Sequence, residues 1–351
     1  MSASKTRLKR ETGVSAPEHS WAATRKAPMH CFSFLLLALM VSAALAEVAW
    51  SRAHSSAQDH AGGEYTLTVN ADLVVLTATV VDRNNALVSG LDKEDFQVYE
   101  DGVLQHVKTF SHEDLPVTAG LVIDNSGSMS PKRADVIAAA LLFARSSNPH
   151  DQMFVVNFNE RVSYGLPANM QFTDRRDQLE QGLNAIDTIG ETALYDAMAA
   201  SLDHLQQGKW DKKVLIVISD GGDNASRHTL AQVIEMAKRS AAIIYAIGIF
   251  DEPDGDQNPG VLKRFAKETG GEAFFPESSK EVATICEKIA RDIRNQYTLA
   301  YVPTISKQGN GYRILDVRVS APGHGRLSVR TRAGYSLTLA PLASGGKGDQ
   351  P

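Results

Sequence analysis

An acidic residue and two serines stand at alternate positions where an apolar stretch ends. The stretch covers residues 119–123, and the run that follows it is Asp124-Asn125-Ser126-Gly127-Ser128-Met129. Asp and Ser side chains offer only hard oxygen ligands, which suit Mg²⁺, Mn²⁺ or Ca²⁺ better than zinc or copper. Gly127 is expected to let the backbone turn tightly enough for the neighbouring side chains to converge. The run therefore predicts a site for a hard divalent cation.

Two more residues with oxygen-bearing side chains lie at turns later in the chain. Asp220 follows the apolar run at 214–219 and is itself followed by two glycines. Thr192 lies between the two acidic residues, in a polar turn that opens a helical pattern. Because open α/β sheets bind ligands beyond the carboxyl ends of their strands, Asp124 and Asp220 are expected as neighbours at one edge of a sheet.

The three pieces together closely resemble the metal-ion-dependent adhesion site (MIDAS) of von Willebrand factor type A domains. That family carries Asp-x-Ser-x-Ser after its first strand, a threonine in a later loop and an aspartate after a later strand. Matched motif to motif, the resemblance implies one metal-binding set, in which every position holds the expected residue type: Asp124, Ser126, Ser128, Thr192 and Asp220. The family often has Gly-Gly-Thr at the threonine loop, whereas here Glu191 replaces the second glycine.

The same resemblance implies a site that binds proteins, in which an acidic side chain of the partner completes the coordination of the metal. Mg²⁺ is favoured over Mn²⁺ or Ca²⁺, because two carboxylates and several retained waters suit an octahedral ion better than a calcium cage of many oxygens. Glu191 places an extra negative charge beside the open position and is a candidate to occupy it in the free protein. The ligand loop is expected to lie outside the core.

Three other interpretations compete with a protein-binding metal site. In the first, Asp124 and Ser126 merely cap the helix that begins near Pro131. In the second, the protein is a metal-dependent hydrolase with Asp223 or His228 as the general base. Against this interpretation, Asp223 is expected to form a turn or to cap the following helix. His228 is expected to cap that helix or to face solvent. In the third, the protein is a scaffold that does not use the metal. Sequence motifs of nucleotide-binding loops, serine hydrolases and zinc peptidases are absent.

Strand and helix patterns alternate between residues 119 and 295, which is typical of doubly wound α/β domains. Apolar strand runs lie at 119–123, 153–158, 214–218 and 242–249. Helical patterns lie at 131–145, 174–186, 193–206, 229–240, 261–269 and 280–295, and Pro131 suits the first helical turn. Because the strands are apolar almost without interruption, we predict a mostly parallel, Rossmann-like sheet with helices on both faces.

Strand patterns flank this region on both sides and are predicted to pair into one small sandwich-like module. They lie at 73–81, 96–100 and 103–110, with Asp101-Gly102 as a hairpin turn, and at 297–301, 312–320 and 326–331. The arrangement is similar to secreted bacterial proteins that are related to the type A domain and known especially from acidobacteria. The similarity extends to the motifs Leu91-x₃-Asp95-Phe96-x-Val98-x-Glu100-Asp101-Gly102 and Arg332-Ala333-Gly334-Tyr335.

The amino-terminal segment has the features of a secretory signal peptide. Six Lys or Arg residues precede an apolar run at 32–46, which is short for a membrane-spanning helix, so cleavage after Ala46 is favoured over an uncleaved anchor. The protein is therefore expected to be secreted or periplasmic. The predicted organisation is a signal peptide at 1–46, a linker at 47–64, a β segment at 65–112, a type A domain at 113–296, a second β segment at 297–339 and a disordered tail at 340–351.

Composition narrows the function classes further. The 351 residues carry a formal net charge of −5 without a basic stripe, which argues against a nucleic-acid partner. Of the two cysteines only Cys286 would remain after cleavage, so a disulfide framework is excluded and Cys286 is expected to be a small buried residue. We predict an exported, non-enzymatic protein that binds the acidic side chain of a protein partner through a metal ion.

Overall fold

The chain places an α/β domain between two β segments. A computed structural model describes residues 73–250, 257–304 and 311–336. Fourteen strands lie in these ranges: β1 Val74–Val81, β2 Phe96–Glu100, β3 Val103–Gln105, β4 Val107–Ser111, β5 Thr118–Asp124, β6 Gln152–Phe158, β7 Val162–Tyr164, β8 Lys213–Ser219, β9 Ile243–Gly248, β10 Ala273–Phe274, β11 Tyr297–Tyr301, β12 Tyr312–Val319, β13 Ser328–Arg330 and β14 Gly334–Ser336. The same ranges hold six α-helices: α1 Arg133–Ser146, α2 Arg176–Leu183, α3 Leu194–Leu205, α4 Leu230–Ser240, α5 Pro259–Thr269 and α6 Val282–Arg294.

Several predicted segments lie outside the described residues. They are the signal peptide at 1–46, the linker at 47–64, the start of the first β segment at 65–72, the end of the second at 337–339 and the tail at 340–351. In the part of the chain that the structure does describe, no helix is both long and apolar enough to span a membrane.

The central sheet has six strands in the order β10-β9-β8-β5-β6-β7. All neighbouring strands pair in parallel except β7, which is antiparallel to β6. β5 lies between β6 and β8, so that Ile123 is in register with Asn157 on one side and Ile218 on the other. The strand order therefore switches sides at β5, and such a switch point is where open parallel sheets bind ligands.

Alternate residues of the strands are buried against helices on the two faces of this sheet. Leu121 and Ile123 belong to the core beneath α1, α2 and α6, and Val122 belongs to the core beneath α3, α4 and α5. The predicted doubly wound fold is thus confirmed. Cys286 is fully buried in the first core, and burial raises the pKa of its thiol to about 12, as expected of a small apolar residue.

The observed elements differ from the predicted ones at a few places. Pro131 lies in a 3₁₀ turn, Gly127–Lys132, and α1 begins only after that turn. The edge strands β7 and β10 escape the sequence pattern, because runs of three and two residues are too short to show a period. The strand predicted at 103–110 is broken at His106 into β3 and β4.

The two flanking β segments form one sandwich-like module, as predicted. Its sheets have the strand orders β13-β1-β11-β4 and β14-β12-β2-β3, so each sheet combines strands from before and after the α/β domain. The break at His106 is the corner at which the chain passes from one sheet to the other. Leu76, Val98 and Leu299 belong to the apolar core that the two sheets share.

The two motifs noted in the β segments meet inside this module. The buried Glu100 carboxylate accepts hydrogen bonds from the hydroxyls of Tyr301 at 2.7 Å and Tyr335 at 3.0 Å. In the β2–β3 turn, Asp101 is paired with the Arg313 guanidinium at 2.9 Å. A carboxylate removed from water requires such donors, so the Glu-Asp-Gly and Ala-Gly-Tyr motifs serve one buried contact.

Buried polar contacts join the module to the α/β domain. The Arg330 guanidinium on β13 binds the carboxylate of Asp292 on α6 at 2.6 Å and also that of Glu272, just before β10. Gln296, between α6 and β11, donates to the hydroxyl of Tyr245 on β9 at 3.1 Å. These contacts place both parts in one compact unit.

Candidate metal centre

Asp124 ends β5, and its carboxylate is held in place by the neighbouring strand. The Ser219 hydroxyl, at the end of β8, donates to Asp124 Oδ2 at 2.6 Å. The backbone N–H of Ser126 donates to Asp124 Oδ1 at 2.8 Å. Since only 2 % of Asp124 is exposed, both carboxylate oxygens have fixed positions inside the protein.

A chain of short contacts runs from the two serines of the motif to the second carboxylate. The hydroxyl oxygens of Ser126 and Ser128 lie 3.2 Å apart, and Ser128 Oγ donates to Asp220 Oδ2 at 2.7 Å. The other Asp220 oxygen accepts the backbone N–H of Gly222 at 3.1 Å. Mg²⁺ binds oxygens at about 2.1 Å in an octahedron, so its adjacent ligands are about 3 Å apart. The oxygens of these three side chains already have such a spacing.

The loop that carries Thr192 is tied to the two other loops through its backbone. The Gly127 N–H donates to Gly190 O at 3.1 Å. The Thr192 N–H donates to Asn224 Oδ1 at 2.8 Å, and Thr192 O accepts the N–H groups of Asn224 and Ala225. Among the described residues, the Thr192 hydroxyl has no hydrogen-bond partner, so its oxygen is open to a ligand or a water.

The two carboxylates make the site electrostatically unfavourable without a cation. Burial raises the pKa of Asp124 to about 6, against the hydrogen bonds from Ser126 and Ser219, and the nearby charge of Asp220 adds to the rise. A cation bound beside both carboxylates would offset the repulsion and the loss of hydration. The charge distribution therefore fits a metal ion.

The donor set also fits a hard divalent cation in its chemistry. It consists of two carboxylates and three hydroxyls, without nitrogen or sulfur. The described ranges contain no group of three or more His, Cys, Asp or Glu side chains that could hold a metal. Within the motif, Asn125 is fully buried, and its Oδ1 has no hydrogen-bond partner in the structure. A bound water would satisfy that atom.

The family comparison covers this part of the chain. Residues 120–222 match the von Willebrand factor type A domain. The matched residues include all five candidate ligands and extend from β5 to the loop after β8. No curated protein matches the chain.

Solved structures resemble the chain at low sequence identity. A von Willebrand factor type A protein from Catenulispora acidiphila has a TM-score of 0.46 and 14 % identity, covering 74 % of this chain and 73 % of that one. The vWF domain of the type V pili tip protein Mfa5 from Porphyromonas gingivalis has a TM-score of 0.44 and 15 % identity, covering 51 % and 95 %. Proximal thread matrix protein 1 from the mussel byssus, with a zinc-occupied MIDAS motif, has a TM-score of 0.42 and 16 % identity, covering 52 % and 49 %.

The Asp-x-Ser-x-Ser motif lies deeper than its sequence suggests. Asp124, Asn125 and Ser126 are each at most 2 % exposed, so the expectation that the ligand loop lies outside the core is wrong for its first half. The capping interpretation also lacks support. Ser126 has the N-cap position of the 3₁₀ turn, but its side chain makes no capping hydrogen bond.

Gly190 is one glycine on which the geometry of the candidate site depends, and the expectation that the tight turn needs Gly127 is wrong. Gly127 has no positive φ, and a Cβ added there would meet only Gly190 O, at 3.7 Å. Gly190 has a φ of +85°, and a Cβ on it would lie 1.8 Å from the carboxylate of Glu160. Gly190 therefore lets the Thr192 loop approach both the motif and the loop after β6.

Some residues that support the site carry little signal in the sequence. Ser219 and Asn157 do carry a signal, because each is a polar residue at a buried position of an otherwise apolar strand. Asn157 donates to Gly182 O at 2.7 Å and accepts from the Asn125 amide at 3.2 Å. Asn224 lies among other turn-forming residues, so nothing local distinguishes it as the partner of the Thr192 loop.

The candidate general bases have other contacts. Asp223 accepts the N–H groups of Tyr195, at the start of α3, and Ser226, so it forms a turn as expected but caps α3 instead of the following helix. The exposed His228 ring lies 2.6 Å from Asp196 Oδ1. Although burial raises the pKa of Asp196, hydrogen bonds from the His228 backbone and ring and from the Arg227 backbone hold it below its usual value. This pair braces the loop after β8 against α3.

Replacing each glycine by alanine tests the geometry of the loops. We expect Gly190→Ala to destabilise the protein by about 1–2 kcal/mol, because an L-residue is strained at a positive φ. Gly127→Ala is the matched control and should change the free energy of unfolding by less than about 0.5 kcal/mol. Urea unfolding followed by circular dichroism measures both. A larger loss for Gly127→Ala than for Gly190→Ala would contradict this account of the site.

Proposed function

We propose that the protein binds one divalent cation, Mg²⁺ in preference to Mn²⁺ or Ca²⁺, and that it binds a protein partner at that site through an acidic side chain of the partner. The metal ligands in this proposal, directly or through water, are Asp124, Ser126, Ser128, Thr192 and Asp220. The observation that supports it most is the contact chain from Ser126 through Ser128 to Asp220, beside the buried Asp124 carboxylate.

The residues around the ligands hold them in position for this task. The Ser219 hydroxyl and the Ser126 N–H fix the orientation of the Asp124 carboxylate, and the Gly222 N–H does the same for Asp220. Because the set has only two carboxylates, a bound divalent cation would keep a net positive charge and open positions for a further anionic oxygen. The partner carboxylate would be that further ligand.

Isosteric replacement of Asp124 tests the metal site. Asp124→Asn keeps the size of this buried side chain but removes its charge, so Mg²⁺ affinity should fall by at least about 100-fold, or about 2.7 kcal/mol. Isothermal titration calorimetry measures this loss, and circular dichroism checks that the fold is kept. Asp203→Asn changes an exposed aspartate on α3 and is the matched control, for which affinity should stay the same. Equal affinities of the two variants would refute the assignment of Asp124.

Partner binding is tested with the same variants. Tagged protein is used to capture partners from the parent cells in Mg²⁺ or in EDTA. We expect the specific partner to be lost in EDTA, with Asp124→Asn and with Asp220→Ala, and to be kept with Asp203→Asn. Asp→Asn and Glu→Gln scanning of the captured partner should then identify one essential carboxylate. A partner that binds equally in EDTA would move the recognition surface away from this site, with the β module as the next candidate.

The alternative functions differ from this proposal in measurable ways. A metal-dependent hydrolase would show Mg²⁺-dependent phosphatase or esterase activity that His228→Ala reduces, since the outer nitrogen of the exposed His228 ring is the remaining candidate base. A scaffold that ignores the metal would assemble equally well in EDTA. The contacts of Asp223 with two backbone N–H groups favour a structural role for that residue and thereby the binding function.

We also propose that the protein is exported and belongs with the secreted bacterial, acidobacterial-type relatives of the type A domain. The basic segment before the apolar run at 32–46 and the two motifs that meet at Glu100 support this proposal. Its domains would be those at 113–296 and the paired β segments at 65–112 and 297–339. Amino-terminal sequencing of protein from the native host should give a mature chain that starts near Glu47. A chain that still begins before Phe32 would favour a membrane anchor instead.

A further inference from the structure

A groove runs between the β10 edge of the central sheet and the β module. It has a volume of about 670 Å³, which is within the usual range for ligand pockets. One wall is the face of α5 that carries Lys263 and Lys267, and the other walls are β10 and the segment that starts at Val329 on β13. None of the five candidate metal ligands lines this β10–β13 groove, so it is a separate site.

The first strand edge in the groove belongs to β10. β10 is the outermost strand of the central sheet, and among the described strands it pairs with β9 alone, with Ala273 opposite Ala246. Parallel strands bond a residue to the two residues that flank its partner, and the Ala246 N–H accordingly donates to Glu272 O at 3.0 Å. The N–H and C=O of Ala273 itself therefore point away from β9, and Ala273 lines the groove.

The second strand edge belongs to β13, the outermost strand of one sheet of the β module. Val329 on β13 lies opposite Val80 on β1. Val80 O accepts the Val88 N–H at 2.9 Å, so the polar backbone groups of Val80 face away from β13. In an antiparallel ladder the residue opposite then also turns its polar groups outward, which leaves the N–H and C=O of Val329 on the open edge. Two open strand edges thus border one groove.

The positive charges of Lys263 and Lys267 are available to a ligand of the groove. Both side chains are exposed. Glu272, which lines the same groove, is already paired with Arg330 and Lys288. Among the residues that the structure describes, neither Lys263 nor Lys267 has an ion pair within 4.0 Å. The groove therefore favours a segment that carries negative charge.

The spacing of these two lysines suits an extended chain. They are four residues apart on α5, which is about 6 Å along the helix axis. α5 connects the parallel strands β9 and β10, so it runs back along the direction of β10. In a strand added beside β10, alternate side chains would lie on one face about 6.6 Å apart. Two alternate side chains of such a strand would therefore lie opposite the two lysines.

We propose that the β10–β13 groove binds an extended segment of a partner protein as an added strand, and that this segment carries acidic residues at two alternate positions. Its backbone would pair with the free edges at Ala273 and Val329, and its carboxylates would face Lys263 and Lys267. Strand addition relies on main-chain hydrogen bonds for affinity and on alternate side chains for specificity. It requires no metal ion, so this inference is independent of the function proposed above.

Short synthetic peptides test the inference by NMR titration of the ¹⁵N-labelled full chain in EDTA. The acidic probe is acetyl-Gly-Val-Glu-Val-Glu-Val-Gly-amide, and the neutral probe has Gln in place of both Glu residues. We expect the acidic probe to shift the amide signals of Ala273 and Val329 and to bind about fivefold more tightly than the neutral probe, as two exposed charge pairs allow. An acidic probe with every Val and Glu N-methylated should bind at least about tenfold more weakly, because it cannot donate to a strand edge.

Charge-neutral variants identify the residues responsible for the preference. In Lys263→Gln/Lys267→Gln the acidic and neutral probes should bind equally, because the attraction is lost. Lys280→Gln removes another exposed lysine and is the matched control, which should keep the preference of the unaltered chain. Because EDTA is present throughout, the result does not depend on the candidate metal site.

Several outcomes would overturn the inference. They are the absence of binding, equal binding of the acidic and neutral probes to the unaltered chain, equal binding of the N-methylated probe, and a preference that persists in Lys263→Gln/Lys267→Gln. Signals of Ala273 and Val329 that shift with protein concentration alone would also overturn it, because a second copy of the chain would then occupy the groove.

Discussion

The parallel, in-register pairing of β5 with β8 is the constraint on which the whole site depends. Because the two strands end at the same level, Ser219 bonds Asp124 across the pair, and Asp220 follows one residue later within reach of Ser128. The helices on both faces bury these strands almost completely, so their ends cannot shift relative to each other without disturbing two cores. The relative positions of Asp124 and Asp220 are therefore set by the pairing of the strands in the sheet.

Holding two carboxylates close together has an electrostatic cost in the metal-free protein. The sheet brings two carboxylates together where water is largely excluded, and burial raises the pKa of Asp124 to about 6. The surrounding donors, Ser219 and the Ser126 N–H, reduce this cost but do not remove it. A site built in this way is less stable alone than with a cation, which is the physical link between the proposed function and the local charge.

The β module has a different role in the architecture. It joins the α/β domain through the Arg330 pairing with Asp292 and Glu272, and its own core holds Glu100 between two tyrosine hydroxyls. Buried ion pairs contribute little net stability, but losing one partner leaves a charge uncompensated, so they strongly favour one docked arrangement. The module thereby holds α6, β9 and β13 in a defined relation at the side of the sheet. It contributes no candidate ligand.

The amino-acid sequence by itself determines the order and type of the main elements and the chemistry of the five candidate ligands. Both follow from local pattern: uninterrupted apolar runs for buried strands, helical periods between them, and hydroxyl and carboxylate residues where strands end. The sequence does not show that Ser219 supports Asp124 from 95 residues away, that Glu160 lies against Gly190, or that Gly190 instead of Gly127 bears the unusual backbone angle. It also underestimates how deeply the motif is buried. Only the tertiary structure decides these points, because each depends on contacts between segments that are distant in the chain and become neighbours through the pairing of the strands.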